Sequence, residues 1–408
     1  EKTIMAEKLR HNDHRVIGPK LNLYQQSELI GSGLPLFPWQ GEVVINELQN
    51  FLRDLLNKND YKFVRTPHLA KIALFKKSGH WDNYRDDMFL TKSGNEKLAV
   101  KPMSCPLHTM IFKQESHSYK DLPKRYAEFA TVYRDEASGA LTGLSRVRMI
   151  TQDDAHIFCD VNSLDQELSN LVKLVKQVYA VIGFKKVRVE LSTRPTKYVG
   201  NIDTWNRAEE ILGEVMKKNR LKFSINKGDG AFYGPKIDFH VEDANKKSWQ
   251  LATIQLDFNL GPRLNATYTN KADKKEHPII IHRALLGSLE RMFGILIEHY
   301  NGAFPTWLSP TQVKVISFND EMEKYTRTIE QKIRAAGIRV EGDYRSETVQ
   351  LKVRDAEKQK VPYIIVIGGK EKANKTLAVR PRGSKPKFGV KMPDFLKQVK
   401  NEIKNRTI

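Results

Sequence analysis

Between positions 38 and 56, apolar residues recur at spacings of three, four and seven: Val43, Val44, Leu48, Phe51, Leu52, Leu55 and Leu56. That period predicts an amphipathic helix with one face toward a core. Residues 61–67 alternate instead and stop at Pro67, as a strand does at its end. Further short strand-like runs follow at 97–102 and 125–133, separated by polar or proline-containing turns. The helical period returns at 164–182, through Leu168, Leu171, Val172, Val175, Val178 and Tyr179, and again at 204–218, where Asp203 is placed to cap the N-terminus. Three strand-like runs lie between 221 and 257. Strand runs broken by helices, without a βαβ rhythm, predict an α+β architecture on an antiparallel sheet.

The character changes at 303–310, where Pro305 and Pro310 bracket a connection. Beyond it the order is strand, helix, strand, helix, strand, strand and a terminal helix from Met392, which predicts a smaller α/β module with a mostly parallel, mixed sheet. A boundary near 306 follows, giving domains 1–306 and 307–408. No internal repeat or low-complexity segment interrupts them.

A chain of 408 residues accommodates this two-domain reading. No apolar run approaches the roughly 18 to 20 residues a spanning helix needs, so the expectation is a soluble protein. Lys and Arg number 68 against 48 Asp and Glu, a formal charge of +20 spread over the whole chain. A polyanionic partner is one explanation, and a basic compartment such as the mitochondrial matrix is another; the two are compatible. Two cysteines, Cys105 and Cys159, are too few for a disulfide framework and suggest a reducing compartment. The first residue is Glu1, so either a leader has been removed or the chain has been trimmed.

Four stretches concentrate chemistry-bearing side chains. In the stretch 151–160, a strand would turn Gln152, Asp154 and His156 to one face and Asp153, Ala155 and Ile157 to the other. A solvated acidic strand would look the same. Cys159 stands at an odd offset from His156 and therefore on the opposite face, which reads as a small buried residue. Cys105 sits between two prolines without a CxxC partner, and spacing alone makes no metal site of it. Residues 133–148 read as a strand, a glycine-containing loop and a return strand with arginines at both feet. Such a hairpin suits a nucleotide, with Arg134 clamping a phosphate and Glu136 accepting from an adenine amino group, but an ordinary basic hairpin has the same pattern. In 279–293 a buried strand leads to a helix, with His282 at the strand end and Arg291 inside the helix, either ion-paired or waiting for an anion.

Together these stretches resemble the signature motifs of the class II aminoacyl-tRNA synthetases, and within them the threonyl-tRNA synthetase family. The carriers are HWDNY at 80–84, KPMSCP at 101–106, RVR followed by TQDDAHIF at 146–158, DGAFYGPKIDF at 229–239 and IHRALLGSLER at 281–291. The resemblance runs in order over nearly the whole chain. It implies that threonine is joined to the 3′ end of its tRNA through an adenylate made from ATP with Mg²⁺. It further implies one Zn²⁺ per subunit on Cys105, His156 and His282, selecting threonine by its amino and hydroxyl groups. Valine, which lacks the hydroxyl, would then be rejected strongly. By similarity Asp154 holds the ammonium; Met103, Gln152, Tyr233 and Gln255 line the amino-acid pocket. Arg134 grips the α-phosphate and Arg291 the γ-phosphate, Glu136 reads adenine, and Arg146 and Lys236 stand near the substrates. His80 is implied as a group handling a proton during transfer to tRNA. Pro67 resembles the proline closing motif 1, a dimer-interface element, so a homodimer is expected. Glu371 and Arg380 match positions that contact anticodon bases.

Two departures stand out. Asp135 and Ala137 occupy positions where the family pattern has Asn and Pro. The chain also starts close to the catalytic region, so the expectation is a mitochondrial form lacking the N-terminal editing region, with a cytoplasmic location as the alternative. Serine offers zinc the same two groups as threonine, and a missing methyl discriminates by only about 1 to 3 kcal/mol; detectable serine activation is expected. The competing function is a synthetase-like RNA-binding regulator without aminoacylation activity, which would have damaged catalytic positions, whereas Arg134, Glu136 and Arg291 are present.

Overall fold

The computed structural model describes residues 11–242 and 246–408. Its larger sheet contains β1 (Lys62–Phe63), β2 (Lys124–Tyr133), β3 (Met149–Cys159), β4 (Val187–Ser192), β5 (Phe223–Asn226), β6 (Lys236–Glu242), β7 (Ser248–Asp257) and β8 (Ile279–Ser288). The strands lie in the order β1-β2-β3-β8-β7-β6-β4-β5. Every internal pair is antiparallel, while the outer pairs β1/β2 and β4/β5 are parallel. The α+β reading on an antiparallel sheet is therefore borne out.

The helices of this part of the chain include α1 (Trp39–Asn57), α2 (Cys105–Lys113), α3 (Leu164–Ile182), α4 (Ile202–Lys218) and α5 (Leu289–His299). The apolar stripe of α3 is buried at Leu168, Leu171, Val172, Val175, Val178 and Tyr179, as its period requires. At α4 the cap is Asn201, whose side-chain oxygen accepts from Thr204 N at 2.8 Å; Asp203 lies one residue inside the helix, where its charge still favours the N-terminal dipole. The strand holding His282 also runs further than its sequence suggests, to Ser288, so His282 sits mid-strand.

That extension rests on a bulge. Ala284 pairs with Asp154 and Ser288 with Gln152, so residues 285–287 of β8 oppose Asp153 alone. Their N–H groups leave the ladder and would be unsatisfied. The Asp153 carboxylate accepts all three, from Leu285 at 2.7 Å and from Leu286 and Gly287 at 2.9 Å. Arg283 donates to the same carboxylate at 3.1 Å and to Asp153 O at 2.8 Å, with both side chains out of contact with solvent. Gly287 takes φ +75° at the turn, a conformation that favours glycine.

The C-terminal sheet comprises β9 (Val313–Ser317), β10 (Val340–Asp343), β11 (Tyr363–Ile367), β12 (Thr376–Pro381) and β13 (Lys387–Lys391), ordered β10-β9-β11-β12-β13. β9 pairs in parallel with β10 and β11, and the other two pairs are antiparallel, so the sheet is mixed as expected but half rather than mostly parallel. Alternation along β9 and β11 serves two layers. Val313, Val315, Ile365 and Ile367 pack with Ile329, Ile333, Phe395 and Val399 of α6 (Glu323–Ala335) and α8 (Met392–Asn405). Ile316 and Ile364 pack on the other face with Val353 and Ala356 of α7 (Val349–Lys358). The edge strand β13 and a short helix at Gly369–Asn374 carry too little apolar pattern to be read from sequence.

The chain forms two compact units. One holds the described residues up to Gln25, with Leu36–Phe51 and Phe293–Ile408; the other holds Gln26–Pro35 and Leu52–Met292. Among the described residues, no helix is long and apolar enough to cross a membrane. Replacing Asp153 with Ala should strand Arg283 and three backbone donors in the interior. The expected loss is about 3–5 kcal/mol of unfolding free energy, read from the urea midpoint; an unchanged midpoint would refute this account of the bulge.

Candidate active site

On β3 and β8, His156 and His282 are directly paired, so both rings leave the sheet on one face. Their rings are 4.6 Å apart at 83°, and Nε2 of His156 lies 3.0 Å from Nδ1 of His282. Cys105 arrives from elsewhere, as the first residue of α2. Tyr126, Phe158 and Ile280 lie on that same sheet face and form a core with Phe112, Leu260 and Leu264, and this packing delivers Cys105 beside the histidines. A sulfur and two ring nitrogens then lie within 4.8 Å of one another, all buried. Burial pushes the Cys105 thiol well up and holds His156 well below the usual histidine range, so the cluster favours a neutral imidazole and resists a thiolate unless a cation compensates it. Three mixed sulfur and nitrogen donors with an open side fit zinc. Cys159 points away and donates to Ile279 O at 3.6 Å.

The triad forms the floor of a cavity of about 100 Å³ that Met103, Gln152, Asp154, Tyr233 and Gln255 also line. All five residues assigned to the amino-acid pocket thus meet in one place. Gln255 pairs with His282 across β7 and β8, and the Tyr233 hydroxyl donates to its side-chain oxygen. The Tyr233 ring stacks on His282 at 4.6 Å. This approach needs Gly234, where a Cβ would come within 1.8 Å of Leu256 O. Burial raises the Asp154 carboxyl, and the nearby imidazoles of His108 and His282 oppose the shift. A carboxylate in such a place gains from an ammonium partner.

A second cavity, of about 220 Å³, shares Arg134, Gln152, Thr253 and Ala284 with the first and adds Glu136, Arg146, Ser288 and Arg291. Arg146 pairs with Glu136 at 2.7 Å, and Arg291 Nε donates to Ser145 O at 2.9 Å. Nε of Arg134 is buried without a hydrogen-bond partner among the described residues. Burial, then Arg134 and Arg146, lower the Arg291 pKa. Three guanidinium groups around one carboxylate make a site for a polyanion. Arg291 reaches this cavity because the Asp153 bulge turns the chain at Gly287, and because Glu290 accepts from Thr151 N at 2.9 Å and from Ser288 Oγ at 2.8 Å.

Lys236 and His80 line neither cavity. Lys236 lies opposite Gln255 and pairs with Asp238 at 3.1 Å and Asp229 at 3.2 Å. His80 Nε2 lies 3.1 Å from Cys105 Sγ, and burial lowers its pKa to about 3. In the C-terminal unit, Arg380 lies opposite Ile364 on β12, and the Glu371 carboxylate accepts from Gly368 N at 3.0 Å. Sequence reading passed over the residues behind the triad. Asp257 Oδ2 lies 3.1 Å from His282 Nε2, while its Oδ1 accepts from Asn259 N at 2.6 Å and Leu260 N at 3.1 Å. His108 Nδ1 lies 2.8 Å from His156 Nδ1, and its Nε2 lies 3.2 Å from Glu128 Oε2. Glu128 accepts from Thr66 N at 2.7 Å and Thr66 Oγ1 at 2.8 Å, and Lys101 Nζ stands 3.6 Å away. The one available signal was His108 three residues beyond Cys105, on the same side of a helix.

Sheet, cavities and motif residues together define a class II synthetase core. Residues 89–300 match the tRNA synthetase class II core domain (G, H, P, S and T), and residues 312–402 match an anticodon binding domain. The chain belongs to the class II tRNA synthetase family. It is 43% identical over 408 residues to a threonine–tRNA ligase of Petrotoga mobilis, covering 99% of this chain and 63% of the relative. It is 44% identical over 404 residues to that of Clostridium tetani, again with 99% and 63% covered. The chain thus spans about 63% of the length of these curated relatives. A crystal structure described as the RNA binding domain of threonyl-tRNA synthetase from Cryptosporidium parvum superposes with a TM-score of 0.92 at 35% identity, covering 97% of this chain and 98% of that one.

Burial raises the Glu128 carboxyl, but bonds to His108 and Thr66 and the charge of Lys101 outweigh it and bring the pKa down to about 2 from 4.5. A depressed carboxylate stabilises the fold above its unfolded pKa and loses that contribution as pH falls through its folded pKa. Glu128→Gln should therefore cost up to about 3 kcal/mol near neutral pH. The gap from the parent should close between about pH 4.5 and pH 2 in denaturant titrations; a pH-independent gap would contradict this origin.

Proposed function

We propose that the chain is the catalytic and anticodon-binding part of an enzyme that joins threonine to the 3′ end of threonine tRNA through a threonyl-adenylate. One observation carries the reading: a small cavity lined by Cys105, His156 and His282 shares the wall residues Arg134, Gln152, Thr253 and Ala284 with a larger arginine-lined one. The family and the threonine–tRNA ligase relatives support it. The catalytic part would extend to residue 306 and the anticodon-binding part from 307. Cys105, His156 and His282 would hold one zinc ion. When bound, zinc supplies a Lewis-acid anchor for the amino and hydroxyl groups of threonine.

The remaining work belongs to the side chains. Asp154 receives the ammonium, and Gln152, Tyr233, Gln255 and Met103 fix the body of the amino acid so that its carboxylate faces the shared wall. ATP enters the arginine-lined cavity with Mg²⁺. The carboxylate oxygen attacks the α-phosphorus, the bond to the β-phosphate breaks, and pyrophosphate leaves with its charge held by Arg291 and Mg²⁺. Arg134 steadies the charge that builds on the α-phosphate, with Glu136 and Arg146 at the adenine end. A hydroxyl of the tRNA terminal adenosine then attacks the acyl carbon and releases AMP. Lys236 would serve the substrates from behind Gln255. His80 is assigned the handling of a proton in this second step by similarity alone. Glu371 and Arg380 would meet the anticodon, and the +20 charge suits a tRNA backbone and a mitochondrial matrix location. A homodimer through the segment ending at Pro67 is favoured by exposed Leu69 and Leu90 nearby.

Arg134→Ala should lower threonine-dependent ATP–pyrophosphate exchange about 10²–10³-fold with the fold intact. The parent should charge total tRNA with threonine, reject valine by about 10⁴-fold or more, and discriminate against serine by only about 10–200-fold in exchange. Charging with another amino acid, or RNA binding without any exchange, would overturn this function. Fractionation and sedimentation check compartment and dimer.

A further inference from the structure

Each of the two histidines of the triad has a second ring nitrogen facing into the protein, and the two are treated differently. His282 reaches a carboxylate directly through Nε2. His156 instead reaches another histidine: its Nδ1 faces His108 Nδ1 at 2.8 Å, and His108 Nε2 faces Glu128 at 3.2 Å. Two like nitrogens at 2.8 Å can bond only if one carries hydrogen and the other does not. The far end decides which. Glu128, held as a carboxylate by Thr66 and Lys101, can only accept, so a neutral His108 carries its hydrogen on Nε2 and offers Nδ1 as an acceptor. His156 must then carry hydrogen on Nδ1, and its Nε2 is left with a lone pair directed at the triad. All these groups are buried, with His108 wholly inaccessible and Glu128 7% exposed, so solvent does not reset the pattern.

We infer that Glu128 and His108 form a positioning relay that fixes the ring orientation and tautomer of His156, so that Nε2 is presented to the metal. The inference rests on the zinc reading above and adds two residues to it. It explains why His108, on the same helix as Cys105, is not a fourth ligand: its metal-side nitrogen is spent on His156. Glu128 comes from β2, opposite Asp154 on β3, so the carboxylate of the relay, the ammonium partner and a metal ligand share two adjacent strands.

The test measures zinc directly. Wild type, Glu128→Gln, His108→Leu and His108→Asn are loaded with zinc and titrated with a chromophoric chelator. Glu128→Gln and His108→Leu should lose about 10–100-fold in affinity. His108→Asn, whose side-chain oxygen still accepts from His156 Nδ1, should recover part of that loss. In ¹⁵N-histidine-labelled, zinc-loaded wild type, His156 should show a protonated Nδ1 and a metal-bound Nε2, and His108 a protonated Nε2. Zinc on His156 Nδ1 overturns the relay, as does affinity within twofold of wild type in both Glu128→Gln and His108→Leu. If either variant fails to fold, the tautomers of wild type and the ordering of His108→Asn against His108→Leu decide. Wild type that takes up no zinc overturns the zinc reading itself, and with it the relay.

Discussion

One register shift governs this site. Where β8 passes Asp153 it carries three residues against one, and the ladder can continue beyond only because a single carboxylate takes up all three displaced N–H groups. Before the shift, the register sets His282 against His156; after it, the chain turns at Gly287 and α5 begins with Arg291 facing the arginine-lined cavity. The metal-type donors and the phosphate-type donor on β8 and α5 are thus fixed by the same buried pair, Asp153 and Arg283. Such a pair is weak support for stability when weighed against apolar packing. Its value lies in specifying one alignment, since slipping by one residue would turn every ligand to the wrong face.

Period-2 alternation was enough to place Gln152, Asp154 and His156 on one face and to send Cys159 away, because those relations are local to one strand. The helix at 164–182 was legible for the same reason. What could not be read locally was pairing. His282 seemed to end its strand because the following Ala284, Leu285, Leu286 and Leu289 suit a buried strand and a helix equally, and the bulge that separates the two is built by Asp153, some 130 residues earlier in the chain. Glu128 reads as an ordinary charged residue in an apolar strand until Thr66, Lys101 and His108 are brought around it. The triad itself came from resemblance to known synthetases, since no spacing joins positions 105, 156 and 282.

Burial runs through every electrostatic feature of the site. It raises Cys105 and Asp154 and lowers His156, Lys101 and Arg291, in each case disfavouring the charged form. A site that penalises its own charges gains from ligands that bring the opposite ones: an ammonium for Asp154, a triphosphate for the arginines, a divalent cation for the thiolate. Each proposed ligand would relieve a cost already present in the folded chain.

The two cavities are also unequal in a way that bears on selectivity. On the proposed reading, the smaller offers polar side chains to the amino and hydroxyl groups of a hydroxy amino acid, and a substrate lacking one of those groups would leave a buried partner unsatisfied. The larger is lined by long, charged side chains that bind by charge and position rather than by shape. On that reading, discrimination among amino acids would fall on a cavity of about 100 Å³, and within it on hydroxyl recognition. Size can separate threonine from serine only by the packing of one methyl group, which contributes about 1 to 3 kcal/mol. An arrangement that rejected an isostere sharply by its missing hydroxyl would accept the smaller hydroxy amino acid, so the proposed chemistry of selection also sets where selectivity would end.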